Sequence, residues 1–219
     1  HLAKLTEDVS AEELTLFDSG SNRVAWLGQA GFQAGQTIVI QGPGHMGLTC
    51  AAYAKSLGAA KVIVTGTSDD RMRLDVALEV GADHVIDVMV DDPVEAVMDL
   101  TGGFGASLAV DLASAPGTPS LCFDLVHHRA TVIWAGLKDR QAVAVVTDKV
   151  VMKGLRVLGG AGGDAGSVDE AARILNEGGF PTAPLLGAVV DLDEIDRAMA
   201  LLHREGDEDA VRAVLRHEH

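Results

Sequence analysis

Residues 37–59, TIVIQGPGHMGLTCAAYAKSLGA, place three closely spaced glycines between an apolar, β-branched run and a helical pattern. The run at Thr37–Gln41 predicts a buried strand, and His45–Leu57 repeats apolar residues at helical spacing. The spacing GxGxxG is matched by Gly42, Gly44 and Gly47. In such a loop the first glycine allows a tight turn out of the strand, and the second allows the backbone to approach a diphosphate closely. The third allows the helix to pack closely on the sheet. The sequence therefore predicts a strand–turn–helix unit that binds a dinucleotide.

Short apolar runs alternate with helical patterns along most of the chain. Helical segments are predicted within residues 10–32, followed by a turn at Ala34-Gly35. Five further strands are then predicted: Lys61–Thr65, His84–Asp87, a strand that ends near Asp111, Arg129–Gly136 and Leu155–Gly160. Helices are predicted at Asp69–Val80, Pro93–Leu100, Thr118–Val126 and Ser167–Glu177, the last with a serine cap. Apolar strands separated by helices require a parallel sheet covered on both faces. We therefore predict an α/β fold with a doubly wound parallel sheet, whose ligand binds between the first and fourth strands.

The pattern changes at Pro181. The stretch 187–215 is typical of a strand, a helix and a second strand, and these strands need not join the main sheet. We divide the chain into a lead-in of residues 1–20, a dinucleotide-binding domain of residues 21–180, and a C-terminal segment of residues 181–219.

Charge and composition exclude several classes of partner. The 219 residues include 17 basic and 32 acidic side chains, a formal net charge of -15. Nucleic acids and anionic membrane surfaces attract basic proteins, so neither is an expected partner. No apolar stretch approaches the ~20 residues of a membrane span. The two cysteines, Cys50 and Cys122, form no disulfide framework, so we expect a cytoplasmic protein.

The end of the second predicted strand, VIVTGTSDDR, bears on cofactor choice. Gly66 stands where an acidic residue commonly accepts hydrogen bonds from a ribose, and its absence removes repulsion against a 2′-phosphate. The hydroxyls of Thr67 and Ser68, with Arg71 in reach, add donors, which favours NADP slightly. Asp69 and Asp70 oppose this reading if the loop curls back, because either carboxylate could then accept from the ribose. The alternative, which we favour, is that both are simply first-turn acids of the next helix. The choice between NAD and NADP stays open.

Candidate metal ligands and nucleophiles lack a supporting pattern. His127 and His128 are predicted at a solvated helix end, and their distance from Cys122 is not the i, i+4 spacing of facing ligands. Cys50 lies on the apolar stripe of a helix and is predicted to be core. We predict no catalytic residue and no metal ligand within these 219 residues.

Five blocks together resemble the medium-chain dehydrogenase/reductase superfamily, in its zinc-type alcohol, polyol and threonine dehydrogenase branch. They are AGFQAGQTIVIQGPGHMGL, AKVIVTGTSDDRMRL, EVGADHVIDV, LTGGFGASLAVDLAS and ATVIWAGL. The resemblance implies a Rossmann domain that binds NAD(P) and hydride transfer to or from a small alcohol or carbonyl substrate.

The resemblance also assigns cofactor-binding residues by position. The phosphate loop is Gly42, Gly44, His45, Met46 and Gly47. The adenosine-ribose corner is Gly66, Thr67 and Ser68. The backbone against the nicotinamide is Ala135, Gly136 and Leu137. A hydroxyl near the nicotinamide is implied at Ser21, and a basic side chain that reaches the diphosphate at Arg212.

One part of the family pattern has no counterpart here. Members begin with a GroES-like catalytic domain that carries the ligands of a catalytic zinc, so the resemblance implies that zinc binds only in a missing domain. Residues 1–20 and 181–219 would then belong with that domain, and the isolated chain would bind cofactor without turnover. The family also implies a homo-oligomer that pairs through an edge strand near residues 155–160. Two alternatives stay open: a non-catalytic NAD(P)-sensing module and a zinc-free quinone or enoyl reductase.

Overall fold

Six short strands lie parallel in one sheet in the computed structural model, which describes residues 3–205 and 209–217. In chain order they are β1 (Thr37–Gln41), β2 (Lys61–Gly66), β3 (His84–Asp87), β4 (Ala106–Asp111), β5 (Val126–Trp134) and β6 (Arg156–Gly159). Their order across the sheet is β3-β2-β1-β4-β5-β6. The predicted doubly wound sheet is confirmed, and β1 lies between β2 and β4, where the strand order reverses.

Helices cover both faces of this sheet. They are α1 (Ala11–Leu14), α2 (Phe17–Ala30), α3 (His45–Ser56), α4 (Arg71–Glu79), α5 (Pro93–Leu100), α6 (Thr118–Leu125), α7 (Thr147–Lys153) and α8 (Ala165–Asn176). Alternate residues of β1 face opposite sides, so Ile38 and Ile40 join the core with α2, α3 and α4, while Val39 joins the core with α5 and α6. Because both faces are buried, the middle residues of the two central strands, 38–40 and 108–110, are all apolar.

The C-terminal segment forms its own small unit. It contains α9 (Ala183–Leu186), β7 (Ala188–Asp191), α10 (Ile195–His203) and β8 (Ala213–Arg216). β7 and β8 pair in parallel as a separate two-stranded sheet, with α10 between them in the chain. This confirms the predicted strand–helix–strand unit. The helix supplies the crossover connection that two parallel strands need. Within the described part of the chain, no helix has the length and apolar character needed to cross a membrane.

The beginning of β5 differs from the sequence prediction. β5 begins at Val126, so His127 and His128 lie in a strand and not at a helix end. The ladder with β4 shifts register between Ala106 and Leu108, and Arg129 has a φ of 62°. This irregularity, inside a polar stretch, hides the beginning of the strand from a reading of hydrophobic periodicity.

The helix after β6 also begins earlier than predicted. It begins at Ala165, and its N-cap is Asp164, whose side chain accepts from the backbone N–H of Ser167. Ser167 is therefore the third residue of the helix and not its cap. The prediction missed α7 because none of its residues is buried, so its sequence carries no apolar stripe.

Candidate functional site

The glycine loop after β1 is closely packed at its first and third glycines. Gly42 has a φ of +98°, and a Cβ there would lie 2.9 Å from the backbone nitrogen of Ala113. A Cβ on Gly47 would lie 1.9 Å from the carbonyl oxygen of Gly42. These two positions accept only glycine, as the spacing predicted.

The second glycine of the loop is different, because nothing in the structure crowds it. Gly44 has an ordinary extended conformation, with φ -69° and ψ 173°, and a Cβ on it would meet no atom within 4 Å. A side chain at this position would fill open space beside the loop. The space beside Gly44 is where the backbone would approach a diphosphate.

The N-terminus of α3 opens onto the same space. Gly44 is its N-cap, no side chain caps the helix, and its first turn contains no acid. The N–H groups of His45, Met46 and Gly47 belong to this first turn, which has no intrahelical acceptors. With the helix dipole they form a site that favours an anion.

His45 is the exposed residue of this turn. Desolvation of its ring, followed by the positive charges of Arg212 and Arg23, lowers the pKa of His45 below its ordinary value of 6.5. The imidazole is therefore neutral at pH 7, and the anion site relies on backbone amides and arginines.

At the end of β2, packing excludes a side chain at Gly66. A Cβ there would lie 2.8 Å from Cγ of Pro43 and 3.1 Å from Cδ2 of Leu74. The missing acid at this position thus has a steric cause, since Pro43 of the glycine loop occupies the space. A cofactor preference is not needed to explain the glycine.

The hydroxyls that follow Gly66 are engaged by carboxylates. Thr67 Oγ1 donates to Asp70 at 2.8 Å, and Ser68 Oγ donates to Asp87 at 2.6 Å. Asp70 also accepts from the backbone N–H of Thr67 and from Nη2 of Arg204 at 2.5 Å. Partial burial opposes ionisation, but these hydrogen bonds hold the pKa of the Asp70 carboxyl below its ordinary value.

Asp69 and Asp70 precede α4, in a 3-10 turn over Ser68–Asp70, and so are not acids of that helix's first turn. Arg71 begins α4 with its side chain 86% exposed, and its Nε lies 3.9 Å from Asp75. Arg204, which sequence analysis did not single out, comes from the end of α10 and donates to the backbone oxygen of Asp69 as well as to Asp70. The C-terminal segment therefore contributes a guanidinium to the predicted ribose corner.

The segment after β5 packs against the end of β4. The backbone N–H groups of Ala135 and Gly136 both donate to the carbonyl oxygen of Asp111, at 3.0 Å and 2.8 Å. A Cβ on Gly136 would lie 2.3 Å from the carbonyl oxygen of Ala113, whereas Leu137 is 84% exposed. The backbone predicted to lie against the nicotinamide therefore follows the carboxyl end of its strand, as the glycine loop does.

Ser21 and Arg212 make their hydrogen bonds within flanking segments. Ser21 is buried in α2, and its hydroxyl donates to the carbonyl oxygen of Asp18. Arg212 donates from Nη2 to the carbonyl oxygen of Thr15 at 2.5 Å, and burial lowers its pKa. The positive charge of Arg212 contributes to the lowered pKa of His45.

A buried ion pair lies where the strand order reverses, and no sequence pattern indicated its lysine. Asp111, at the end of β4, is fully buried, and Lys138 Nζ lies 3.2 Å from its Oδ1 and 3.0 Å from its Oδ2. The Oδ2 contact lacks hydrogen-bond geometry, so Oδ1 is the hydrogen-bond acceptor. Lys138 also contacts Thr118 Oγ1 and the carbonyl oxygen of Ala113. The pair fixes the segment after β5 to the end of β4.

The described residues contain no group of three or more His, Cys, Asp or Glu side chains that could hold a metal ion. Cys50 and Cys122 are buried and unpaired, in agreement with the core assignment of Cys50. Burial raises the pKa of Cys50 to about 11 and also raises that of Cys122, so both thiols are protonated at pH 7. This part of the chain offers no zinc site.

Comparison with known proteins agrees with this geometry. Residues 46–177 match the family of zinc-binding dehydrogenases. The probable alcohol dehydrogenase adh of Mycobacterium tuberculosis H37Rv is 36% identical over 209 residues, which cover 93% of this chain and 57% of that protein. Sorbitol dehydrogenase of Halalkalibacterium halodurans is 30% identical over 172 residues, 78% of this chain and 50% of that protein. The chain thus spans about half the length of these relatives.

Solved structures share the fold. A short chain alcohol dehydrogenase from Escherichia coli CFT073, complexed with the cofactor NADH, superposes with a TM-score of 0.83 at 20% identity, over 94% of this chain and 60% of that one. A zinc-binding dehydrogenase from Sinorhizobium meliloti 1021, bound to NADP, gives the same TM-score and identity over 96% of this chain and 60% of that one. The sheet order, the glycine loop and the family match lead to one conclusion: the chain belongs to the zinc-type branch of the medium-chain dehydrogenases and contains its Rossmann NAD(P)-binding domain.

Proposed function

We propose that this chain is the cofactor-binding part of an alcohol dehydrogenase-like oxidoreductase, which transfers hydride between NAD(P) and a small alcohol or carbonyl substrate. One observation carries the proposal. The uncapped first turn of α3 faces the open space beside Gly44, at the carboxyl end of β1, where the strand order reverses between β1 and β4. A diphosphate fits this place by charge and by shape.

The residues of this chain bind and orient the cofactor. The amides of residues 45–47 would donate to the diphosphate, and the backbone of Ala135–Leu137 would hold the nicotinamide. The ion pair of Asp111 and Lys138 keeps that backbone at the edge of the sheet. When bound, the nicotinamide supplies the hydride acceptor or donor. The described residues provide no metal ligand set, so we derive no step through zinc and expect no turnover from this chain alone.

No observation on the described residues favours the sensing module or the zinc-free reductase over this proposal.

The expected cytoplasmic location is supported by two buried, unpaired cysteines. Apolar side chains are exposed along one face of α10 in the C-terminal unit, at Ile195, Met199 and Leu202. We propose that this face contacts the rest of a longer protein.

For cofactor choice, we propose that the ribose corner accepts NADP at least as well as NAD. Gly66 supplies no carboxylate, Asp70 is already held by Thr67 and Arg204, and Arg204 places a positive charge at this corner. A 2′-phosphate would compete with Asp70 for that guanidinium.

Titration of the chain with NADH and NADPH, followed by nicotinamide fluorescence, tests both proposals. We expect both nucleotides to bind, with NADPH no weaker than NADH, and Arg204→Gln to weaken NADPH about tenfold, the equivalent of ~1.4 kcal/mol. NADH serves as the internal control for folding of the variant, since it lacks the 2′-phosphate. Absence of any binding would contradict the proposed function. An equal effect of Arg204→Gln on both nucleotides would contradict the proposed contact of Arg204 with the 2′-phosphate, but not the proposed function.

We also propose that two copies of this chain pair along β6, which is an edge strand of the sheet. Beside it, α7 exposes Val151 and Met152 by 79% and 80%, and an open edge with apolar neighbours is a template for pairing. Sedimentation of the wild-type chain should show a dimer, and Val151→Glu combined with Met152→Lys should give a monomer with unchanged circular dichroism. A wild-type monomer at high concentration would refute the pairing.

A further inference from the structure

Arg23 is a buried arginine without an ionic partner. It lies in α2, its side chain is 0% exposed, and its guanidinium carbon is 3.6 Å from the centre of the Trp26 ring. Nη2 donates to the sulfur of Met46 at 3.3 Å. Nε and Nη1 have no hydrogen-bond partner among the described residues. An aromatic face and a thioether are therefore the partners that this guanidinium has in the structure.

Such an arrangement is costly for the free protein. Leaving a buried charge without a counter-ion costs several kcal/mol, and a sulfur acceptor offsets little of it. Burial lowers the pKa of Arg23 to about 10, so the group keeps its charge at pH 7. The two groups that favour this charge are Asp18, which forms no ion pair with it, and Cys50, whose thiol is protonated. A buried cation retained at such a cost needs an explanation in function.

The surroundings of Arg23 indicate where its counter-ion would be. Met46 lies in the first turn of α3, between Gly44 and Gly47, and its sulfur accepts from the Arg23 guanidinium, so this charge lies against the turn whose amides face the open space. The charges of Arg212, Arg23 and Arg73 all help to lower the pKa of His45 in the same turn. The first turn of α3 has no acid that could neutralise the charge of Arg23. A buried guanidinium and a helix N-terminus thus meet at Met46.

We propose that Arg23 is a positioning residue whose buried charge is neutralised by the diphosphate of the bound dinucleotide, and that it makes the site prefer NADH over NAD⁺. This inference rests on the proposed function. The guanidinium is enclosed, so it acts through the first turn of α3 and does not touch the phosphates. Because the surroundings of the guanidinium have a low dielectric constant, its charge would attract the diphosphate without direct contact. NAD⁺ carries the same diphosphate as NADH together with a positive pyridinium ring, which the charge of Arg23 disfavours.

The test compares Arg23→Met with Arg23→Lys in the 219-residue chain. Dissociation constants are measured for NADH, ADP-ribose and NAD⁺, and thermal unfolding is followed without nucleotide. We expect Arg23→Met to bind NADH and ADP-ribose about tenfold more weakly and NAD⁺ only slightly more weakly, so that the ratio of the two coenzyme constants approaches one. The free variant should unfold at the same temperature as the wild type or higher, because an unpaired charge is gone. Arg23→Lys should keep most of the affinity and the ratio.

The matched control is Arg156→Met. It removes a positive charge whose partners are the backbone oxygens of Ala30 and Gln29, at the C-terminal end of α2 and two turns away from Arg23. We expect the NADH to NAD⁺ ratio to stay at the wild-type value in this variant. If Arg23→Met does not fold, Arg23→Gln supplies the same comparison with a neutral polar side chain.

Two outcomes would overturn the role of Arg23 while the proposed function stands. One is unchanged affinity of the Arg23→Met variant for all three nucleotides. The other is an equal loss for NADH and NAD⁺ that lysine does not rescue, which would mean that Arg23 only supports the fold. Failure of the wild-type chain to bind any of the nucleotides would refute the proposed function itself, and this inference with it.

Discussion

Gly47→Ala is expected to abolish nucleotide binding and to destabilise the free protein. The added Cβ would lie 1.9 Å from the carbonyl oxygen of Gly42, a backbone atom that cannot move without displacing the whole loop. Forcing atoms into a packed site costs roughly 1–3 kcal/mol, and contact with backbone places this substitution at the upper end. The first turn of α3 would shift, and its amides would no longer converge on one anion.

Gly44→Ala separates binding from folding. This position has room for a methyl group and an ordinary backbone conformation, so we expect the unfolding free energy to change by no more than about 0.5 kcal/mol. The methyl group would nonetheless occupy the space that a diphosphate needs, and NADH affinity should fall at least tenfold, or ~1.4 kcal/mol.

Gly28→Ala is the matched control for both substitutions. It lies in α2, and its added Cβ meets no atom within 4 Å. It should leave NADH binding unchanged and stabilise the helix by roughly 0.5–1 kcal/mol. Normal NADH affinity in the Gly44→Ala variant would show that no phosphate approaches this loop.

Lys138→Met is expected to cause the largest loss of stability among the side-chain substitutions considered. Asp111 is fully buried, and removal of the ammonium leaves its carboxylate without a counter-ion. Breaking a buried pair in this way costs roughly 3–5 kcal/mol. For a domain of this size the unfolding temperature should fall by roughly 10 °C. NADH affinity should also fall, because the backbone at Ala135–Leu137 loses its attachment to β4.

Two further variants show whether the loss comes from the buried pair. The double variant Asp111→Leu with Lys138→Met removes both charges, so it should recover much of the stability lost in the single variant. Lys149→Met breaks a partly exposed pair with Asp124 and should cost no more than about 1 kcal/mol. Chemical denaturation gives the three free energies. A cost for Lys138→Met equal to that for Lys149→Met would mean that the Asp111–Lys138 pair carries no stability.

Local sequence signals were sufficient for the sheet and for the glycine loop. A strand, a tight turn and a helix are neighbours in the chain, so the spacing of Gly42, Gly44 and Gly47 predicted their geometry directly. Alternation of strands and helices predicted a parallel sheet, and the position of β1 between β2 and β4 was expected from the usual strand order of Rossmann folds. The beginning of β5 could not be predicted in this way, because its ladder shifts register within a polar stretch.

The charged residues of the site depend on contacts that periodicity does not show. Lys138 and Asp111 are 27 positions apart, and a lysine in a polar loop ordinarily indicates a solvated side chain. Arg23 stands in a helix whose neighbours Ala25, Trp26 and Leu27 are buried, and a long side chain there would ordinarily be expected to reach solvent. Packing of α2 on α3 encloses the guanidinium.

A structure of this chain determined with NADH is the decisive test of diphosphate binding at the glycine loop. We expect the diphosphate oxygens to lie within hydrogen-bond distance, roughly 2.7–3.2 Å, of the backbone nitrogens of residues 45–47. We also expect the nicotinamide to lie against the backbone of Ala135–Leu137. A nucleotide bound elsewhere on the chain, with the space beside Gly44 empty or filled by a protein side chain, would contradict this expectation.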